Sequence, residues 1–314
     1  MKAMVVTDEA AGRAGMTLVE RPDPDAAKLA DLSGANYGDA VVEVHASGFT
    51  WDELSWPSTW IDRRGHDRTP SIPGHEVAGV VSALSYGAAG LSVGQRVFGL
   101  TDWTRDGTLA EYAVVEARNL APLPGDIDFT TGAGVVMSGL TAWQGLFVHG
   151  RLEAGQSVLV HGAAGAVGSM ATQLAREAGA YVVGTGRAAD ARTARDFGAN
   201  EFVDLENDKL ADVGEVDLVF DVFGGDLGAR SARLIRAGGT LVTIAGPPEV
   251  RPTDGRAIDF VVEADRAQLG EIAQRVRDGR VRTNIGTIAS LDDAVAAFNP
   301  AERKKGKTII RVRP

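Results

Sequence analysis

The stretch SVLVHGAAGAVGSMATQLAREAGAYVVGTGR, residues 157–187, decides how the chain reads. An apolar run leads into a glycine-rich turn, a helical segment beginning near Val167, and a second apolar run. That order is the one a dinucleotide site requires, because a tight strand-to-helix turn brings backbone N–H groups to a pyrophosphate. Gly162 suits the tight turn, Gly165 lets the backbone approach the phosphates, and Gly168 lets the helix pack closely on the sheet. The spacing is G-x-x-G-x-x-G, a departure from the strict G-x-G-x-x-G. Glycine also serves ordinary turns, so the strand on one side and the helix and strand on the other are what make the motif specific.

The end of the second run selects among dinucleotides. Chains that take NAD place an acidic residue there to accept the ribose hydroxyls. This one reads Gly184, Thr185, Gly186, Arg187, with Arg192 and Arg195 close behind. A guanidinium can pair bidentately with a 2′-phosphate, so NADPH is expected in preference to NADH. Any one of these arginines reads equally well as a solvated surface residue, and the absent carboxylate is the stronger signal.

Working outward, residues 201–204, 218–221 and 239–244 read as further strands alternating with helical segments, the texture of a parallel sheet with crossovers. Pro247 and Pro248 then break the chain. Residues 259–263 read as a strand, 268–278 and 291–298 as helices, and 307–312 as a closing strand that returns to the first domain. Before residue 120 the texture differs. Short β segments at 2–7, 16–20, 39–47, 75–85, 96–100 and 109–115, separated by Gly, Pro, Asn and Asp, predict a β-rich, barrel-like unit. An apolar helical stretch through residues 141–149 joins the two textures. The expected fold class is α/β, in two domains, since the 314 residues exceed what one core holds well, about 250 to 300.

The formal net charge of −10 argues against a nucleic-acid partner. No apolar run reaches about 18 residues and no apolar leader follows Met1, so no membrane partner is expected and the cytoplasm is the expected compartment. The chain has no cysteine, which excludes disulfides, a thiolate nucleophile, iron–sulfur clusters and every cysteine-containing zinc site.

The turn does not stand alone. IPGHEVAGVV (72–81), VGQRVFGL (93–100), GTLAEYAVV (107–115), MSGLTAWQGL (137–146), VLVHGAAGAVG (158–168), DLVFDVFGG (217–225) and GKTIIRV (306–312) follow one another along the chain. With these blocks in this order, the chain resembles the medium-chain dehydrogenase/reductase superfamily, and within it the zinc-independent quinone oxidoreductase-like branch. The resemblance implies a GroES-like catalytic domain from residues 1–124 with 260–314, an inserted Rossmann domain from 125–259, and an active-site cleft between them. Position by position it implies Thr141 near the nicotinamide and Ala164, Gly165, Ala166 and Val167 at the pyrophosphate. Gly186 and Arg187 match the adenosine phosphate, Val222 and Phe223 the contacts after the fourth strand, and Ala245 and Gly246 the backbone beside the nicotinamide ring. Relatives pair through an edge of the Rossmann sheet, which implies a homodimer with residues 239–244 as that edge.

Zinc-dependent alcohol dehydrogenases of the superfamily carry a cysteine where this chain has Gly48, Phe49 and Thr50, and a four-cysteine structural loop that is absent here. His75 and Glu76 keep the Gly-His-Glu that supplies a zinc ligand in those relatives. Without cysteine partners, His75 reads as a hydrogen-bonded polar residue and no metal is expected.

The implied activity is hydride transfer from NADPH to a quinone or similar conjugated carbonyl, a small hydrophobic or aromatic substrate, with the cofactor carrying the chemistry. Thr50, Asp52 and His75 are the candidate catalytic groups, with His66 nearby; structurally, Thr50 reads as a helix cap and Asp52 as a solvated acid. The branch often has an asparagine near residues 48–50 that is missing here. Three of the five tryptophans fall in residues 51–60, a density that favours a flat acceptor over simple packing, with Trp51, Trp56, Trp60 and Trp103 as walls. Three rival readings remain: an enoyl or alkenal double-bond reductase on the same fold, a non-catalytic NADPH-binding redox sensor, and a Rossmann methyltransferase. The sensor sits poorly with the retained Thr50, Asp52 and His66, and the methyltransferase with Gly186 and Arg187.

Overall fold

Strands covered on both faces need near-continuous apolar sequence, and this chain places such strands in two separate sheets. The computed structural model describes residues 1–24, 37–302 and 304–313. They divide into two compact units, Met1–Val136 with Ala264–Arg277 and Ile285–Pro314, and Met137–Glu263 with Asp278–Asn284. The division falls inside the unbroken helix Phe129–Trp143, not at residue 124. The short piece 278–284 joins the second unit, where Asn284 Nδ2 donates to the Ala164 carbonyl and the Gln173 side-chain amide donates to the Arg282 carbonyl and accepts from the Arg282 N–H.

In chain order the strands are β1 (Lys2–Val5), β2 (Thr17–Glu20), β3 (Asp39–Gly48), β4 (Glu76–Leu84), β5 (Arg96–Leu100), β6 (Tyr112–Glu116) and β7 (Leu120–Pro122). The second unit adds β8 (Ser157–Val160), β9 (Tyr181–Gly186), β10 (Glu201–Asp204), β11 (Val216–Asp221), β12 (Ile235–Thr243) and β13 (Gly255–Asp259), and the chain closes with β14 (Ile285–Ser290) and β15 (Lys307–Arg311).

In the first unit β1 and β2 form an antiparallel ribbon, and a larger sheet runs β14-β15-β3-β4-β5-β7 with β6 also paired to β3. The closing strand β15 lies antiparallel to β3, with Ile310 opposite Ser47, so the tail does return to the first unit. Two expectations there need correction. Residues 109–111 are bonded to β1 through the Leu109 carbonyl and the Glu111 N–H, so β6 begins only at Tyr112. Strands β7 and β14 went unread because one is three residues long and the other is half-exposed, with little alternation.

The second unit is a six-stranded parallel sheet in the order β10-β9-β8-β11-β12-β13. This is the doubly wound order, whose direction of winding reverses between β8 and β11 and leaves a crevice at their carboxyl ends. Strand β13 ends where residues 259–263 were expected to begin one, since the bonds to β12 run from Gly255 to Asp259. For the same reason residues 239–244 are no sheet edge: β13 covers that strand, and the outer strands are β10 and β13.

Phe220 of β11 is fully buried. Its ring lies against Gly145, in the π-helical turn Gln144–His149, so closely that a Cβ there would sit 2.1 Å from it. Among the described residues no helix is long and apolar enough to cross a membrane. Replacing Phe220 by alanine is expected to destabilise the protein by about 3 to 5 kcal/mol, as large-to-small changes in a filled core do. Urea unfolding of the variant measures this, and a loss below about 1 kcal/mol would contradict the packing.

Candidate functional site

The glycine-rich turn leaves β8 with its backbone already committed. Gly162 holds φ +64°, and the Gly165 N–H closes the turn on the Gly162 carbonyl at 2.7 Å. The helix Ala166–Glu177 starts at once, with Gly165 as its N-cap and no side chain satisfying its first N–H groups. Gly168 faces the turn, and a Cβ on it would lie 2.1 Å from the Gly162 oxygen. A helix start pressed on a turn, with free N–H groups and no side chain over them, suits a diphosphate. Of the residues expected at the pyrophosphate, Ala164 and Gly165 lie in this turn, and Ala166 and Val167 are the first two of the helix. Asn284 steadies it from the far side of the sequence, through its bond to the Ala164 carbonyl at 2.9 Å.

Gly186 is the last residue of β9, and Arg187 follows it directly. The Arg187 side chain is 76% exposed and its ion pair is with the exposed Glu206, at 3.5 Å, so it can turn toward a bound phosphate. Asp190, which the sequence reading passed over, is buried and accepts the Arg187 N–H at 3.0 Å. It fills the space above Gly186, since a Cβ there would sit 2.9 Å from its Oδ2.

Buried His161 ties the strand ends together. The Ser231 hydroxyl donates to the Leu227 carbonyl, so it accepts from His161 Nε2–H at 2.7 Å, and Nδ1 accepts from the Thr185 hydroxyl at 2.9 Å. Burial pushes this imidazole down to about 4, which keeps it neutral.

The ends of β11 and β12 complete the same face. Buried Asp221 accepts the N–H groups of Phe223 and Gly224 at 2.9 and 3.1 Å, an Asx turn that sets the direction of Val222 and Phe223. Both side chains reach over Gly162, and Phe223 is 58% exposed, an aromatic ring left open beside the turn. Ala245 packs on Gly224, and Gly246 takes φ +102°. The structure thus brings the expected turn, Val222, Phe223 and Ala245 to one edge of the sheet. Thr141 is buried in the helix Phe129–Trp143.

The first unit holds a second cluster around His75, which is buried. Its Nδ1 meets the Thr101 hydroxyl at 2.8 Å and its Nε2 lies 3.5 Å from Glu53 Oε1. Burial pushes Glu53 up to about 8, against which the N–H groups of Gly74 and Thr50 work, and burial pushes His75 down to about 3. At neutral pH the pair is therefore a carboxylic acid beside a neutral imidazole. Trp103 meets His75 edge-on at 5.0 Å and Trp56 at 5.3 Å, forming an aromatic corner.

The other expected groups stand elsewhere. Asp52 is exposed and its carbonyl, not its carboxylate, is engaged with Ser55. His66 is exposed on Asp62, Trp51 lies under the Arg13 guanidinium, and Trp60 donates to the Leu54 carbonyl. Of the four tryptophans named as walls, Trp56 and Trp103 are the two that meet at His75.

These residues do not fit zinc. Both nitrogens of His75 face protein groups, and the Glu76 carboxylate is paired with Lys307. None of Gly48, Phe49 and Thr50, which stand where the zinc-dependent relatives have a cysteine, offers a thiolate. Among the described residues no three His, Cys, Asp or Glu side chains are grouped to hold a metal.

Residues 36–125 match the alcohol dehydrogenase GroES-like domain family, and residues 197–310 the family described as zinc-binding dehydrogenase. Human quinone oxidoreductase is 32% identical over 230 residues, 69% of this chain and 68% of that one. The 2-methylene-furan-3-one reductase of Solanum lycopersicum is 30% identical over 261 residues, 78% of this chain and 64% of that one. A mycobacterial protein solved in complex with NADPH has the same fold, with a TM-score of 0.81 at 23% identity over 99% of this chain and 100% of that one. The chain belongs to the medium-chain dehydrogenase/reductase superfamily, in its quinone oxidoreductase-like branch. It is an oxidoreductase, of a fold that binds a nicotinamide cofactor.

The pair Glu53 and His75 makes stability depend on pH in opposite senses. Between about 4.5 and 8 the folded chain keeps a proton on Glu53 that the unfolded chain releases, so stability falls as pH rises. Between about 3 and 6.5 the unfolded chain binds a proton that buried His75 refuses, so stability rises with pH. From 6.5 to 8 Glu53 acts without that opposition, and Glu53→Gln is expected to flatten the fall of Tm across that range. An equally steep fall in the variant would show that Glu53 is ionised in the folded protein.

Proposed function

We propose that this chain is a zinc-independent, NADPH-dependent reductase of quinones or similar conjugated carbonyls. Arg187 carries the cofactor part of the proposal. It is an exposed guanidinium at the end of β9, beside a glycine and not a carboxylate. Of the acids nearby, Glu206 is exposed and pairs with the guanidinium at 3.5 Å, while Asp190 is buried and engaged with the Arg187 N–H, so it supports the turn. The NADPH held by the mycobacterial neighbour agrees with this choice. When bound, the nicotinamide supplies the hydride. The chain's own residues bind and orient: Gly162, Gly165 and Gly168 admit the diphosphate, Val222, Phe223, Ala245 and Gly246 line the strand ends, and Thr141 stands toward the nicotinamide.

The corner of Trp56 and Trp103 suits a flat, uncharged acceptor, since aromatic faces reward stacking and neither Glu53 nor His75 places a charge there. We assign His75 and Thr50 to the acceptor's surroundings and replace Asp52 with Glu53 in that set. We also propose a homodimer, formed through the free edge of β13. A second reading, reduction of an activated C=C bond, is favoured by the tomato relative's name.

Titration of the protein with NADPH and NADH, followed by tryptophan fluorescence, tests the cofactor. NADPH is expected to bind at least tenfold more tightly than NADH, about 1.4 kcal/mol, and Arg187→Ala to remove that difference. Equal affinities in the native protein, or a preference that survives in the variant, would sink the assignment. Steady-state turnover of a para-quinone and of a straight-chain enone separates the two substrate readings. Trp56→Ala is expected to raise KM for the quinone about fivefold or more with less change in kcat; faster turnover of the enone would favour the second reading.

A further inference from the structure

We propose a binding site for a phosphate group at the amino-terminal ends of the parallel strands, at the opposite end of the sheet from the nucleotide turn. A cavity of about 280 Å³ opens there, with Arg151, Asp217, Arg236, Gly238, Thr240 and Arg256 in its lining. Asp217, Arg236 and Arg256 are each the second residue of their strand, β11, β12 and β13. Ligands of open α/β sheets sit at the carboxyl ends of the strands, so cofactor binding does not account for three guanidinium groups here.

The charge is uncompensated. Arg236 pairs with Asp217 Oδ1 at 3.0 Å, and Asp217 Oδ2 is taken by the N–H and hydroxyl of Ser157 at 2.7 and 2.9 Å. Among the described residues Arg151 and Arg256 have no carboxylate partner. In a chain of net charge −10, a cavity with three arginines and one engaged acid is not needed for solubility.

The cavity is also built. Arg256 Nη2 is anchored on the Thr240 hydroxyl at 2.9 Å, with the His149 carbonyl at 3.4 Å. Between Val216 opposite Ile235 and Leu218 opposite Thr240, β12 carries extra residues, and Arg236, Ala237, Gly238 and Gly239 from that irregularity line the cavity. Arg151 holds φ +54°, and among the described residues no other non-glycine has a positive φ. That conformation disfavours arginine, and strain of this kind clusters where a side chain serves a ligand. Guanidinium forks match the oxygens of a phosphate bidentately. The group's source is inorganic phosphate or diphosphate, or the phosphate ester of a small metabolite.

Isothermal titration with inorganic phosphate, pyrophosphate and glycerol phosphate, each with and without saturating NADPH, tests the site. With the nucleotide turn filled by NADPH, one pyrophosphate is expected per chain, bound at least tenfold more weakly in Arg256→Gln. Arg151→Gly removes a guanidinium while relieving the backbone, so a fivefold or greater loss of affinity with no fall in Tm is expected. Tighter binding of glycerol phosphate than of inorganic phosphate would assign the site to an ester, and the reverse to the free ion. No saturable binding, binding abolished by NADPH, or unchanged affinity in both variants would overturn the proposal.

Discussion

Gly168 lies so close to the Gly162 carbonyl that a Cβ on it would sit 2.1 Å from the oxygen, and the rest of the nucleotide face depends on that backbone contact. It lets the helix Ala166–Glu177 begin directly at the turn, aims its unpaired N–H groups outward, and leaves Gly162 open to Val222 and Phe223 from the neighbouring strand. Each further element supports this arrangement: Asp221 holds the second turn, His161 binds β8 to β9 and to the helix Gly225–Ser231, and Asn284 braces the Ala164 carbonyl. Any side chain at position 168 would force strand and helix apart, at the place where a diphosphate needs them together.

The first unit shows a different economy. Glu53 and His75 are buried without a fixed charge on either, held by backbone N–H groups and the Thr101 hydroxyl. Glu76, next to them, is kept with an explicit counterion, Lys307, from the last strand. The cation needed in that interior comes from the protein's own C-terminal segment, which is one reason β15 belongs to this sheet and not to the sheet that precedes it in sequence.

Much of this was legible in local pattern. The strands β8 to β11, the turn glycines and the helix start all follow from periodicity and glycine spacing, because each is decided within a few residues. Glu53 was not legible: an acid one position beyond Asp52 has no local mark of burial, and its carboxyl is placed by Gly74, twenty-one residues on. Asn284 reaches Ala164 across 120 residues, which no local signal announces. Strand β13 was misplaced because its residues GRAID are polar and half-exposed, so the more apolar run after it drew the assignment. The tryptophan density was informative as a whole and misleading in detail, since Trp51 and Trp60 are engaged by Arg13 and by the Leu54 carbonyl.

Amide hydrogen exchange across residues 161–168, with and without NADPH, tests the nucleotide turn most directly. The first N–H groups of the helix have no side-chain cap, so a bound diphosphate should slow their exchange strongly, together with that of the segment around Gly186 and Arg187. Protection confined to those segments is the expected result. Saturating NADPH that leaves residues 161–168 exchanging as before would contradict the assignment of this turn as the cofactor site.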